Sequence, residues 1–192
     1  MAPRLGLGGG VSADIASTLL WRNAYSVAFD GTNDYVDLGN SSTLNPEDIS
    51  VSMWIKPDAL TNYDYLFARG IADYNEAYRF QVGATHLYNA FGNGSTKGYI
   101  TYAHGMSNGN WYHIAGTYDG ATAVQYVNGA SIGTKSISTV MEEDSDTTYI
   151  GKPHPAAAYF GGQIDEVGMW DSALSAAQVL SIYNGGAPQS LA

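Results

Sequence analysis

Glu142, Asp144 and Asp146 alternate along one short stretch, a spacing that puts three carboxylates on the same side of an extended strand. Carboxylates facing one another are what glycoside hydrolysis uses, one as acid and the other as base or nucleophile. The surroundings argue against that chemistry. Residues 141–148 read Met-Glu-Glu-Asp-Ser-Asp-Thr-Thr, with no apolar or aromatic wall. A carboxyl group acquires the raised pKa of a general acid through desolvation, so this stretch reads as a solvated loop.

The remaining reactive residue types give no second reaction centre. Ser, His and Asp are all present, but without the Gly-x-Ser-x-Gly elbow that exposes a nucleophilic serine. His86, His104 and His154 lack any mutual spacing suited to zinc, and His113 in Trp111-Tyr112-His113-Ile114-Ala115 belongs to a strand pattern and reads as structural. Gly8-Gly9-Gly10 lacks the Lys and Ser or Thr of a phosphate loop. With Cys 0, thiolate chemistry, disulfides and cysteine zinc sites are excluded. No enzyme is expected. A binding site for sugars would instead join exposed aromatic rings, which stack on sugar faces, to amides and carboxylates that take hydroxyl hydrogen bonds. Tyr63, Asp64, Tyr65, Asp73, Tyr74 and Asn75 are the densest such mixture, with Tyr102, His104, His154 and Tyr159 as a second group. The competing reading is that these tyrosines are half-buried packing residues.

The elements that would position these residues are short strands. The 192 residues fit one domain, and Gly 23, Tyr 15 and only 14% charged residues favour strands joined by tight turns. Thr18 to Phe29 reads as a strand ending at Asp30-Gly31, and Tyr35 to Gly39 follows it. Ile49 to Ile55 alternates strictly, with Ile49, Val51, Met53 and Ile55 on one face and Ser50, Ser52 and Trp54 on the other. Asn128-Gly129 marks a two-residue hairpin and Asp119-Gly120 another turn. Ten or more such strands predict an all-β, two-sheet antiparallel β-sandwich. In the strand at 163–170, Asp165 is expected to share a face with Val167 and Met169, which would place one carboxylate among apolar neighbours. Such a group needs a hydrogen-bonding partner or a cation. One short C-terminal helix follows, capped by Ser175 with Gln178 as its reciprocal partner, stapled by Leu174 and Val179, docked through Val179, Ile182 and Tyr183, and closed by Gly185.

Charge narrows the partners. The net charge of −10, with Lys+Arg 8, excludes nucleic acid and disfavours anionic membranes. No run approaches 18 apolar residues, so no membrane insertion is expected, and the glycine-broken start has no signal-peptide core. Residues 1–17 are expected to form an N-terminal arm or flexible tail, with residues 18–192 as the domain. That arm is either a dispensable tail or an anchor to a larger assembly.

Phe29-Asp30-Gly31-Thr32-Asn33-Asp34-Tyr35-Val36, residues 49–57, Trp111 to Gly120, Tyr126-Val127-Asn128-Gly129 and Gly162-Gln163-Ile164-Asp165-Glu166-Val167 with Ala173-Leu174-Ser175 together resemble the successive motifs of laminin-G-like, concanavalin-A-like jelly-roll domains. The five motifs span residues 25 to 186. The resemblance implies a jelly roll that binds glycans or proteins without catalysis. It also implies a calcium ion near the sandwich edge, for which Asp30 and Asp165 occupy the matching motif positions, Asn33 is a side chain that could add an oxygen, and Asp34 and Asp37 are rivals. The alternative is that Asp30 caps its own turn and Asp165 accepts backbone hydrogen bonds. Two settings fit such a module. One is a virion-associated decoration or receptor-binding protein of a phage, held to other virion proteins through residues 1–20. The other is a secreted or excised lectin domain with a glycan or protein receptor. A homo-oligomer is compatible with either.

Overall fold

The computed structural model describes residues 25–61, 63–71, 75–93, 96–141, 146–154 and 158–186. The arm expected at residues 1–17, and the anchoring role given to residues 1–20, lie outside them. So do Asp73, Tyr74, Glu142 and Asp144.

Twelve described strands build the expected sandwich: β1 (Val27–Asp30), β2 (Val36–Gly39), β3 (Ile49–Pro57), β4 (Asp64–Ile71), β5 (Asn75–Val82), β6 (His86–Asn93), β7 (Thr96–Ala103), β8 (Tyr112–Tyr118), β9 (Thr122–Val127), β10 (Ala130–Ser136), β11 (Thr148–Ile150) and β12 (Gly161–Trp170). The first sheet runs β1-β12-β3-β8-β9-β10 and the second β2-β11-β4-β5-β6-β7. All strand pairs in both sheets are antiparallel. Among the described residues the strand predicted from Thr18 begins only at Val27. The Asn128-Gly129 hairpin joins β9 to β10 with φ of 49° and 75°, the positive values such a turn demands.

The two layers meet through aromatic rings. Phe91 of the second sheet stacks on Tyr118 of the first, with ring centroids 4.6 Å apart. Phe67, Tyr78 and Phe80 extend the same apolar layer together with Ile49, Val51, Met53 and Ile55, the predicted apolar face of β3. One guanidinium is buried here. Arg69 donates from Nη1 to Thr148 Oγ1 at 3.1 Å, because the register sets β4 beside β11 at that point.

The other face of β3 is covered too. Ser50 Oγ donates to the Ser172 carbonyl (2.7 Å) and accepts from Leu174 N–H (2.8 Å), which ties down the segment leading to α1 (Ala176–Tyr183). The predicted capping box is present at Ser175 and Gln178. Val179 is buried with Leu174 packed nearby, and Tyr183 stacks on Trp54. The helix ends differently from the expectation at Gly185. Asn184 itself takes the left-handed position (φ 49°), which a short polar side chain tolerates, and Gly185 follows it into a short 3-10 turn.

Asp165 lies on the opposite face from the one predicted. It pairs with Trp54, whereas Ile164 pairs with Ile55 and enters the core. A bulge reverses the alternation. Glu166 adopts φ 47°, and the two residues Glu166 and Val167 oppose the single residue Met53, so that Val167 and Met169 turn inward after Asp165 has pointed out. The Asp165 carboxylate accepts the N–H of Glu166 at 2.8 Å, a bond that supports the bulge.

Candidate functional site

Strand register assembles a polar and aromatic surface on the outer face of the second sheet. One row across it reads Asp37, Tyr149, Ala68, Arg79, Ala90, Tyr99, and the next reads Tyr65, Gln81, Tyr88, Thr101. Their neighbours in sequence, Phe67, Tyr78, Phe80, Phe91 and Ile100, fill the core by the alternation of strand side chains, broken on β4 where a register shift after Tyr65 turns both Leu66 and Phe67 inward. Arg79 is packed between rings. Its guanidinium carbon lies 5.3 Å from the centre of Tyr99 and 6.0 Å from that of Tyr65, and Nη1 donates to Tyr65 Oη at 3.2 Å. The small side chains of Ala68 and Ala90 on either side leave room for those rings.

At one end of the face, Tyr63, Tyr88 and His86 form an aromatic platform. The Tyr63 and Tyr88 rings are 4.8 Å apart, and His86 lies 6.0 Å from Tyr88. Tyr63 holds φ 64° and remains 49% exposed. A bulky residue in the left-handed region costs on the order of 1–3 kcal/mol and persists only where its surroundings enforce it. The enforcement is visible: Gln81 Nε2 donates to the Tyr63 carbonyl at 3.2 Å. The turn between β5 and β6 is fixed from below by buried His104, whose Nε2 donates to the Gly83 carbonyl (3.0 Å) while Nδ1 accepts Met106 N–H (2.8 Å). Those two partners set a neutral imidazole, and burial lowers its pKa below the usual histidine range. Burial, followed by the neighbouring Tyr63, raises the Tyr88 phenol above its ordinary value.

Tyr63, Asp64 and Tyr65 therefore serve two different places, as their alternation requires. Tyr63 and Tyr65 belong to the outer face, and Asp64 turns into a cleft at the sandwich edge. That cleft, about 390 Å³, is lined by Asp30, Gly31, Asp58, Thr61, Asp64, Tyr159 and Gly161 among others. Asp64 is 8% exposed, its carboxylate accepts the Thr61 hydroxyl at 3.2 Å, and burial raises its pKa. Asn75 opens β5, away from the platform at the other end of that strand. The second predicted group does not assemble: Tyr102 donates to the Thr134 carbonyl, His104 is buried under the β5–β6 turn, His154 stacks on Tyr149, and Tyr159 lines the cleft.

The ligand set implied for calcium is not brought together. Asp30 pairs with Gly161, and Asp165 stands four residues farther along β12, roughly 13 Å at about 3.3 Å per residue. Calcium oxygens lie about 2.3–2.6 Å from the ion, so the two carboxylates are too far apart to share one. Asp30 instead caps its turn: Oδ1 accepts the N–H groups of Thr32 (2.8 Å), Asn33 (3.0 Å) and Asp34 (3.3 Å), and these bonds, led by that of Asn33, lower its pKa. Asp34 returns the contact by accepting Asp30 N–H, and Asp37 accepts Gly39 N–H. Asp58 and Asp64 line the same cleft as Asp30, yet among the described residues no three carboxylates or imidazoles converge closely enough to hold a metal.

Known structures share this architecture. A native heptameric SAP-like pentraxin from Limulus polyphemus superposes with a TM-score of 0.65 at 19% identity, covering 82% of this chain and 81% of that one. The CBM40 of the Ruminococcus gnavus IT-sialidase, bound to alpha2,3 sialyllactose, gives 0.70 at 16% identity over 82% and 95%. Domain 4 of AbnA, an extracellular arabinanase from Geobacillus stearothermophilus, in complex with arabinotriose, gives 0.66 at 20% identity over 82% and 76%. At these identities the likeness concerns the fold. A search of curated proteins finds no match. Residues 30–180 match the family model of the concanavalin A-like lectin/glucanases superfamily, and the chain belongs to that family.

Proposed function

We propose that this protein is a non-catalytic carbohydrate-binding module that recognises glycans on the outer face of its second sheet, with Tyr63, Tyr88 and His86 as the stacking platform. The observation that carries the reading is Tyr63, held at φ 64° with its ring half exposed against Tyr88. Strain of this kind gathers at functional sites, and the half-exposed Tyr63 ring, tilted 59° against the half-buried Tyr88, offers an apolar face that a sugar ring stacks against. Thr101, exposed beside Tyr88 in the same row, supplies a hydroxyl-binding partner. Related folds in complex with sialyllactose and with arabinotriose support a sugar ligand. The predicted site residues Tyr63 and Tyr65 belong to this surface, while Asp64 supports the adjacent cleft.

A glycan array probed with the protein and with Tyr63→Ala and Tyr88→Ala tests the reading. Binding by the parent and loss in both variants, with melting temperatures retained, supports it. No glycan bound by the parent, or variants that bind unchanged, overturns it. Such a module works outside the cell or on a particle surface. Quantifying the native protein in culture supernatant against purified particles separates the secreted lectin from the virion-associated receptor-binding protein.

A further inference from the structure

The opposite end of the same face carries an ammonium group with no acidic partner among the described residues. β11 ends at Ile150, and Gly151 (φ 87°) turns the chain where a Cβ would meet the Phe29 ring at 2.7 Å. The turn is pinned by Gly151 N–H to the Leu66 carbonyl (3.1 Å) and by Phe160 N–H to the Gly151 carbonyl (2.9 Å). Lys152 then lies over two rings, with Nζ 3.7 Å from the centre of Tyr35 and 4.1 Å from that of Tyr149. His154 stacks on Tyr149 with centroids 6.0 Å apart and planes 5° from parallel. Lys152 is 9% exposed, whereas Tyr35 is 46% exposed and leaves one side of the cluster open. Among the described residues no carboxylate pairs with Lys152. Asp37, across from Tyr149 in the row, has its carboxylate on Gly39 N–H.

The rings cover one side of the ammonium, and its N–H donors on the open side favour an anionic acceptor. We propose that Lys152, with Tyr35, Tyr149 and His154, forms an anion subsite, so that this face takes negatively charged sugars whose carboxylate or sulfate is bound by Lys152. The inference rests on the outer face being the glycan surface. Tyr149 is three strands from Tyr88, roughly 14 Å at about 4.8 Å per strand, a span an oligosaccharide covers. Arg79 lies between the two, in the same row as Tyr149.

The test is a calorimetric and NMR titration of the whole protein with one tetrasaccharide ending in glucuronate, in glucose 6-sulfate or in glucose, repeated with K152Q after its fold is checked by melting. Charge-assisted hydrogen bonding predicts at least about tenfold tighter binding of one or both charged sugars than of the glucose-ended one, and a fall of that preference to about onefold in K152Q with binding of the glucose-ended sugar kept. Glucuronate or the sulfate ester leading the series tells which anion the subsite suits. Equal affinity for all three sugars, or a preference that K152Q retains, overturns the subsite and leaves the glycan surface standing. Binding of none of them counts against both. If K152Q does not fold, the selectivity of the parent and the shift of its Lys152 Nζ signal on adding the glucuronate-ended sugar decide the matter.

Discussion

Ser52 Oγ and His113 Nε2 lie 2.9 Å apart in a site with no solvent-exposed imidazole surface, between β3 and β8 and beneath α1. A serine and histidine at this distance resemble part of a hydrolase, yet no substrate could reach them. The imidazole is enclosed by Trp54 at 5.5 Å and Tyr183 at 5.8 Å, and burial lowers its pKa to about 4. The pair cross-links β3 to β8, and the His113 ring packs against Tyr183 of α1.

That burial makes stability depend on pH. The unfolded chain protonates His113 near pH 6.5 and the folded one only near pH 4, so in between the unfolded state binds more protons. Stability therefore falls as pH drops from about 6.5 to about 4, by on the order of 3 kcal/mol from this residue. Asp64, with its pKa raised by burial, opposes the trend just above its ordinary value. Denaturant melts at pH 7, 5.5 and 4 are expected to show the loss in the parent and a flatter profile in His113→Gln. Parallel profiles for the two proteins would assign the acid sensitivity elsewhere.

Tyr63 is expected to separate stability from binding. Replacing it with Asn, which tolerates the left-handed region, relieves strain while removing a half-exposed ring, so stability should stay within about 1 kcal/mol. Glycan affinity should fall at least about tenfold, in line with the loss of a stacking residue. A variant that is strongly destabilised, by more than about 3 kcal/mol, would mark Tyr63 as a structural residue instead.

Calcium is expected to have no stabilising effect. Any ion bound to the folded state raises the melting temperature with its concentration. The separation of Asp30 from Asp165, and the engagement of Asp30 with three backbone N–H groups, predict identical melts in EDTA and in millimolar calcium. A melting temperature lowered by EDTA and restored by calcium would show a site built from ligands other than the Asp30–Asp165 pair.

Features encoded by adjacent residues were legible in the sequence. The capping box needs only Ser175 and Gln178 three residues apart, and the hairpin only Asn128-Gly129. The sandwich followed from alternation and turn spacing. The side on which Asp165 lies was not legible, because Glu166 carries no preference for positive φ and the bulge is imposed by pairing with β3. The proposed surface is legible only in part for a related reason. Tyr63 and Tyr65 stood out as a local cluster, but Tyr88, Arg79 and Lys152 join them only through strand register. A lysine following Ile150-Gly151 gives no sign that Tyr35, from a distant part of the chain, will lie beneath its amine.

The most direct test of the glycan surface is a two-dimensional amide NMR map of the isotope-labelled protein titrated with a glycan that it binds on an array. Shifts centred on Tyr63, Gln81, His86 and Tyr88 and spreading only along the outer face of the second sheet are the predicted result. Shifts centred on the Asp30, Asp58 and Asp64 cleft, with the β5–β6 face unmoved, would contradict the account.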